Sequence, residues 1–103
     1  MAQYPGKITM GDMVAGIRGD LVATELDDET VMMSIERGKF YGLDPVAGRI
    51  WALVREPQKV STLVEGLLEE FDGERAVVER DLLAFLNALA REGMLAVEAA
   101  PAR

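Results

Sequence analysis

From Leu21 to Leu43 the apolar residues alternate with polar ones or gather in short runs, and beyond Pro45 they recur every three to four positions. The first pattern is that of strands and the second that of helices. Leu21–Leu26 predicts one strand. Asp27-Asp28-Glu29 has turn composition, since Asp tolerates unusual backbone angles and bonds its own backbone. Thr30–Ile35 predicts a second strand, with Val31, Met33 and Ile35 on one face and Met32 and Ser34 on the other. Glu36-Arg37-Gly38 turns the chain again, Gly38 supplying a positive φ, and Lys39–Leu43, rich in aromatics, predicts a third strand.

Asp44-Pro45 opens a helix as N-cap and first helical residue. Val46, Ile50, Leu53 and Val54 share one face of it, Trp51 lies beside them as a core residue, and Pro57 ends the run. A second helix starts near Ser61 or Thr62, where Thr62 and Glu65 have capping-box spacing. Its apolar stripe is Val64, Leu67, Leu68 and Phe71, Glu65, Glu69 and Glu70 form its solvated face, and Asp72-Gly73 breaks it. The third helix runs from about Glu74 to Glu92 with Val78, Leu82, Phe85, Leu86 and Leu89 as its core stripe. Gly93 fits the left-handed residue that ends a helix, and Met94–Val97 is an apolar stretch that returns as a strand or packs as a tail.

Pro5, Gly6, Gly11, Gly16 and Gly19 predict a flexible or loosely packed lead-in over residues 1–20, with at most a short strand near Ile8–Met10. Residues 21–97 form the domain and residues 98–103 fray. The fold class is α+β: a three-stranded antiparallel meander followed by three helices. Because helices two and three resemble a helix-turn-helix, the whole is winged-helix-like.

Composition narrows the chemistry. The 103 residues carry a net charge of -7, with neither cysteine nor histidine. The charge opposes phosphate backbones and anionic lipid, so neither nucleic acid nor membrane is expected as a partner, whereas basic or amphipathic peptides fit. The missing residue types remove thiol nucleophiles, disulfides, imidazole bases and zinc sites built from Cys or His. No signal peptide and no membrane-length apolar run is visible, which fits a cytoplasmic protein. The third helix sets Glu74, Glu79, Asp81 and Glu92 against Arg75, Arg80 and Arg91, one net negative charge, which argues against a winged-helix transcriptional regulator. Asp27, Asp28 and Glu29 pair carboxylates, but they lie in a hairpin turn open to water, and a calcium loop needs more ligands. With no nucleophile–base pair and no phosphate-cradling glycine loop, the chain reads as a non-enzyme with no cofactor and no metal.

Leu26-Asp-Asp-Glu-Thr-Val, Gly38-Lys-Phe-Tyr-Gly-Leu-Asp-Pro-Val-Ala-Gly-Arg-Ile-Trp51, Val60-Ser-Thr-Leu-Val-Glu-Gly-Leu, Glu79-Arg-Asp-Leu-Leu-Ala-Phe-Leu and Glu92-Gly-Met-Leu occur in that order. Together they resemble the PqqD-like family, also called RiPP recognition elements. These small domains bind the leader segment of a ribosomally made precursor peptide and present it to a modifying enzyme. The Leu-Asp-Asp-Glu-Thr-Val and Tyr-Gly-Leu-Asp-Pro pieces are most similar to the stand-alone recognition proteins of lasso-peptide pathways, where a separate, transglutaminase-like leader peptidase cuts the bound precursor. The alternative implied by the family is a peptide chaperone for a radical enzyme in pyrroloquinoline quinone or other RiPP synthesis.

The resemblance implies that the leader adds as a strand to the edge of the third strand, in a groove beside the third helix. Val31, Met33, Lys39, Phe40, Tyr41, Gly42 and Leu43 are then the strand-side candidates, although alternation favours Met33 and Phe40 as core rather than groove. On the helix, Ala76, Arg80, Leu83 and Asn87 follow one another at i, i+4, i+7 and i+11, on a stripe turned away from the core one. Leu83 then lines an apolar pocket, Arg80 meets a leader carboxylate or pairs locally with Asp81, and Asn87 donates to leader backbone.

Overall fold

The computed structural model describes residues 7–17, 19, 21–27 and 29–99, which form three helices and two antiparallel three-stranded sheets. In chain order the elements are β1 (Met13–Gly16), β2 (Leu21–Leu26), β3 (Glu29–Ser34), β4 (Lys39–Leu43), α1 (Pro45–Leu53), β5 (Gln58–Lys59), α2 (Val60–Glu70), α3 (Arg75–Arg91) and β6 (Leu95–Glu98). The meander β2-β3-β4 is the expected one, in the register Val22↔Met33↔Phe40 and Ala23↔Met32↔Tyr41. Its second strand begins one residue earlier than the alternation suggests, at Glu29, and Ile35 lies in the turn. Gly38, at φ 65, supplies the positive φ of that turn.

The second sheet has the order β5-β1-β6 and overturns the reading of residues 1–20 as a loose lead-in over the part described here. Its central strand is Met13–Gly16, three residues beyond the stretch in which a strand was expected. Val14 pairs with Gln58 on one side and Val97 on the other, so the strand joins the segment before α2 to the segment after α3. Ile8 and Val14 are buried in the core. Residues 1–6, 18, 20, 28 and 100–103 lie outside the described residues, and with them most of the expected frayed end.

This segment also explains where α2 begins. The capping box expected at Thr62 and Glu65 is not the start; the helix begins at Val60 after Lys59, with no side-chain cap. Its first N–H groups are satisfied by chain brought in from far away, Val60 donating to the carbonyl of Asp12 at 3.0 Å and Ser61 to that of Met10 at 3.0 Å. A helix start needs such partners from somewhere, and tertiary carbonyls serve as well as a local side chain. Asp12 in turn is buried and accepts from the Thr9 N–H at 2.9 Å. Glu65 and Glu70, expected as plain solvated charges, bridge elements: Glu65 meets Arg75 across the α2–α3 turn, and Glu70 takes Arg49 of α1 in a two-pronged contact of 2.9–3.1 Å. The hydrogen bond and charge of Glu70 hold the Arg49 guanidinium above its ordinary pKa.

The core lies between the inner face of the meander, the three helices and the second sheet. Met32, Ile50, Trp51, Leu63, Leu67, Leu82, Leu86 and Val97 belong to it. Asp44 caps α1 as expected, its Oδ1 accepting from the Ala47 N–H at 2.8 Å. That helix lies close on β3: a Cβ on Gly48 would stand 2.8 Å from the Thr30 Oγ1, so only glycine permits the approach. Gly93, at φ 76, ends α3 in the left-handed conformation expected of it and releases the chain into β6. No described helix is long and apolar enough to cross a membrane.

Candidate functional site

β4 is an outer strand of the meander, and among the described residues no backbone pairs with its far edge. Residues Met13–Gly16 of the N-terminal segment are committed to the other sheet. Half the main-chain N–H and C=O groups of an outer strand point away from its neighbour and must find water or another chain.

Alternation sorts the strand-side candidates. Val31, Met33, Phe40 and Gly42 lie in two cross-strand rows on the outer face, Val22–Met33–Phe40 and Thr24–Val31–Gly42. Phe40 is 72% exposed, which corrects its reading as a core residue, and Met33 is half-buried beside it. The inner face belongs to Met32, half-buried Tyr41 and buried Leu43. Leu43 is therefore a core side chain that offers an incoming strand only its backbone.

The C-terminal end of α3 reaches β4 through Glu92. Its Oε1 accepts from the Tyr41 hydroxyl at 3.2 Å and stands 3.6 Å from Arg37 and 3.9 Å from Lys39. These side chains close one end of the space between strand and helix. The contact fixes which helix face looks at β4. At roughly 100° per residue, Asp81, Phe85 and Ala88 lie within about 40° of Glu92, whereas Arg80, Asn87, Ala76 and Leu83 lie about 120–180° away.

The stripe Ala76, Arg80, Leu83 and Asn87 thus turns from β4, and the structure does not bring it together with the strand-side residues. Asn87 lies against the N-terminal segment: its Oδ1 accepts from the Ile8 N–H at 3.3 Å, and its Nδ2 donates to the Leu83 carbonyl at 2.7 Å. Arg80 is paired with its neighbour Asp81 at 3.3 Å, the local alternative weighed for it. Leu83 of this stripe is half-buried and packs against the core, and the N-terminal segment covers part of the stripe at Asn87.

Next to the end of β4, a groove of about 380 Å³ lies between the N-terminus of α1, the C-terminus of α2 and the first half of α3. Val46, Ile50, Val77, Val78 and Phe85 contribute apolar lining, and Asp44, Asp72 and Asp81 contribute charge. Val46 and Val77 are each 39% exposed, so the groove is open to solvent. Of these residues Val46, Val78 and Phe85 stood in the sequence as core positions. Helical spacing does not mark them apart, since at roughly 100° per residue Val46 and Val78 lie within their apolar stripes. Among the described residues no group of three or more acidic side chains is placed to hold a metal ion.

A free strand edge and an apolar groove are features on which an extended peptide can dock. The profile of the family described as "Coenzyme PQQ synthesis protein D (PqqD)" matches residues 29–95, and the chain belongs to that family. Two solved structures are similar to it. One is "TbiB1 in Complex with the TbiA(beta) Leader Peptide", 38% identical, covering 78% of this chain and 93% of the other, with a TM-score of 0.68. The second is the solution NMR structure of the PqqD truncation of Methylobacterium extorquens PqqCD, described as a functional and stand-alone RiPP recognition element. It is 27% identical, covers 88% of this chain and 96% of the other, and has a TM-score of 0.69. No curated protein sequence matches the chain.

Proposed function

We propose that this protein binds an extended leader segment of a ribosomally made precursor peptide along the outer edge of β4 and presents it, without catalysing a step itself, to a separate modifying enzyme in the cytoplasm. The observation that carries this reading is the unpaired edge of Lys39–Leu43 lying between an apolar groove and the Glu92 bridge. The 38% identity to a protein seen with its leader peptide supports it. An added strand gains ladder hydrogen bonds at about 0.5–1.5 kcal/mol net each, indifferent to sequence. Ordering a flexible segment costs about 2–5 kcal/mol, so apolar contacts must supply the surplus and the choice of partner. Val31, Met33 and Phe40 are positioned to meet the outward side chains of the added strand, and Lys39 and Tyr41 border its inward ones.

Within the family, the Leu26-Asp-Asp-Glu-Thr-Val and Tyr41-Gly-Leu-Asp-Pro segments favour the lasso-peptide setting, in which the receiving enzyme is a transglutaminase-like leader peptidase. The matched family description favours a second setting, delivery to a radical enzyme in pyrroloquinoline quinone or a related synthesis. The same edge serves both. Titration calorimetry of the purified protein with the leader peptides of both kinds of pathway tests the reading. Sub-micromolar to micromolar binding of one, with no binding of a scrambled sequence, is the expected result, and no heat or spectral change with either overturns it.

A further inference from the structure

The groove beyond the end of β4 combines an apolar floor with a rim of one charge sign. Val46, Val77 and Phe85 line it, and Asp44, Asp72 and Asp81 stand around them, with no cation among the lining residues. The nearby arginines are engaged elsewhere: Arg49 on Glu70, Arg75 on Glu65, and Arg80 on Asp81 at the exposed surface. The Arg80–Asp81 pair is about 70% exposed on both sides, so it neutralises Asp81 only weakly. Asp44 uses Oδ1 on the Ala47 N–H, which also offsets the partial positive charge of roughly half a unit at the start of α1. Asp72 is exposed and makes no ion pair among the described residues.

We infer that this groove takes a lysine or arginine of the bound peptide, its aliphatic stem lying on Val46, Val77 and Phe85 and its charged head meeting the rim of Asp44, Asp72 and Asp81. The inference rests on the strand-addition reading and adds to it the chemical class of one anchor. Position supports the assignment, because Asp44 directly follows Leu43, the last residue of β4. A peptide laid along that edge and continuing past Leu43 therefore enters the groove. Long basic side chains suit such a place, since they bury the stem and keep the head in water. The charge is the reverse of the leader carboxylate that Arg80 suggested, because the helix presents Asp81 to this side.

Selection of a display library of random 15-residue peptides on the immobilised protein tests the inference. Enriched peptides are expected to carry Lys or Arg beside a bulky apolar residue. On the double variant Asp72→Lys, Asp81→Lys, the same selection is expected to enrich Glu or Asp at that place. Both positions are exposed, so the variant should keep the wild-type circular-dichroism spectrum and melting temperature. Fluorescence anisotropy with one enriched peptide should show binding to the double variant weakened about tenfold, and restored when the basic residue of the peptide is replaced by Glu. Enriched peptides without any charge preference, or with one that the double variant leaves unchanged, overturn the inference while leaving strand addition standing. No enrichment over bare resin overturns both.

Discussion

The two sheets of this protein have the same strand number and the same antiparallel pairing, yet they are assembled in different ways. In β5-β1-β6 the central strand is flanked on both sides by segments from distant parts of the chain, and Val14 and Val97 are buried. In β2-β3-β4 all three strands are consecutive, one face holds Met32 against the core, and the other leaves Phe40 72% exposed and Val22 47% exposed. The first sheet is a clasp that holds the N-terminal segment across the ends of α2 and α3. The second sheet has one buried face, and the far edge of β4 is left unpaired. A meander whose neighbours are local is complete without any remote segment.

The largest effect that sharpens this contrast belongs to the clasp. Val14→Asp buries a carboxylate in the central strand and is expected to cost about 3–4 kcal/mol in urea unfolding. A loss under about 1 kcal/mol would show that the clasp is dispensable. Next is the edge itself. A leader peptide N-methylated at alternate residues, on the side that faces β4, should bind at least about tenfold more weakly by calorimetry, since it loses more than one ladder hydrogen bond at about 0.5–1.5 kcal/mol each. Equal affinity for the methylated peptide would rule out strand addition while leaving side-chain docking open.

Glu92→Ala removes the bridge to Tyr41, Arg37 and Lys39. Those ion pairs are about half exposed, so a stability loss of about 0.5 kcal/mol or less is expected in thermal melts, with leader affinity reduced about threefold. Unchanged affinity would mean that the bridge does not set the width of the cleft. The smallest effect is that of Phe40→Ala on folding, within about 0.5 kcal/mol of wild type because the ring is in solvent. A much larger loss would place Phe40 in the core, as its alternation alone also allowed.

The meander was legible because its signals are local. Gly38 and the acidic turn at Asp27 fix the hairpins, and Asp27 does adopt a positive φ of 57. Asp44-Pro45 starts α1 and Gly93 stops α3 for equally local reasons. The β1 strand was hidden because Met13-Val14-Ala15 is too short to show a period and stands between Gly11 and Gly16. Of those breakers, Gly16 is there for packing, since a Cβ would come within 3.2–3.4 Å of Trp51 and Val54.

The site divides in the same way. Its strand half could be read from the sequence, since residues 39–43 carry their own alternation and are bounded by turns. Its helix half could not. Helical spacing tells which residues share a stripe, but the direction a stripe faces depends on how the helix is rotated against its neighbours. Here the Glu92–Tyr41 contact and the N-terminal segment at Asn87 set that rotation.

By itself the sequence determined the three local strands, the three helices, the Asp44 cap of α1, the Gly93 stop of α3 and the family, because each is written in residues close along the chain. The tertiary structure alone decided that residues 13–16 would pair with both the segment before α2 and the segment after α3, and that Phe85 of α3 and three aspartates from separate places in the chain would line one groove. Those outcomes depend on contacts between residues tens of positions apart, and such contacts leave no period in a linear text.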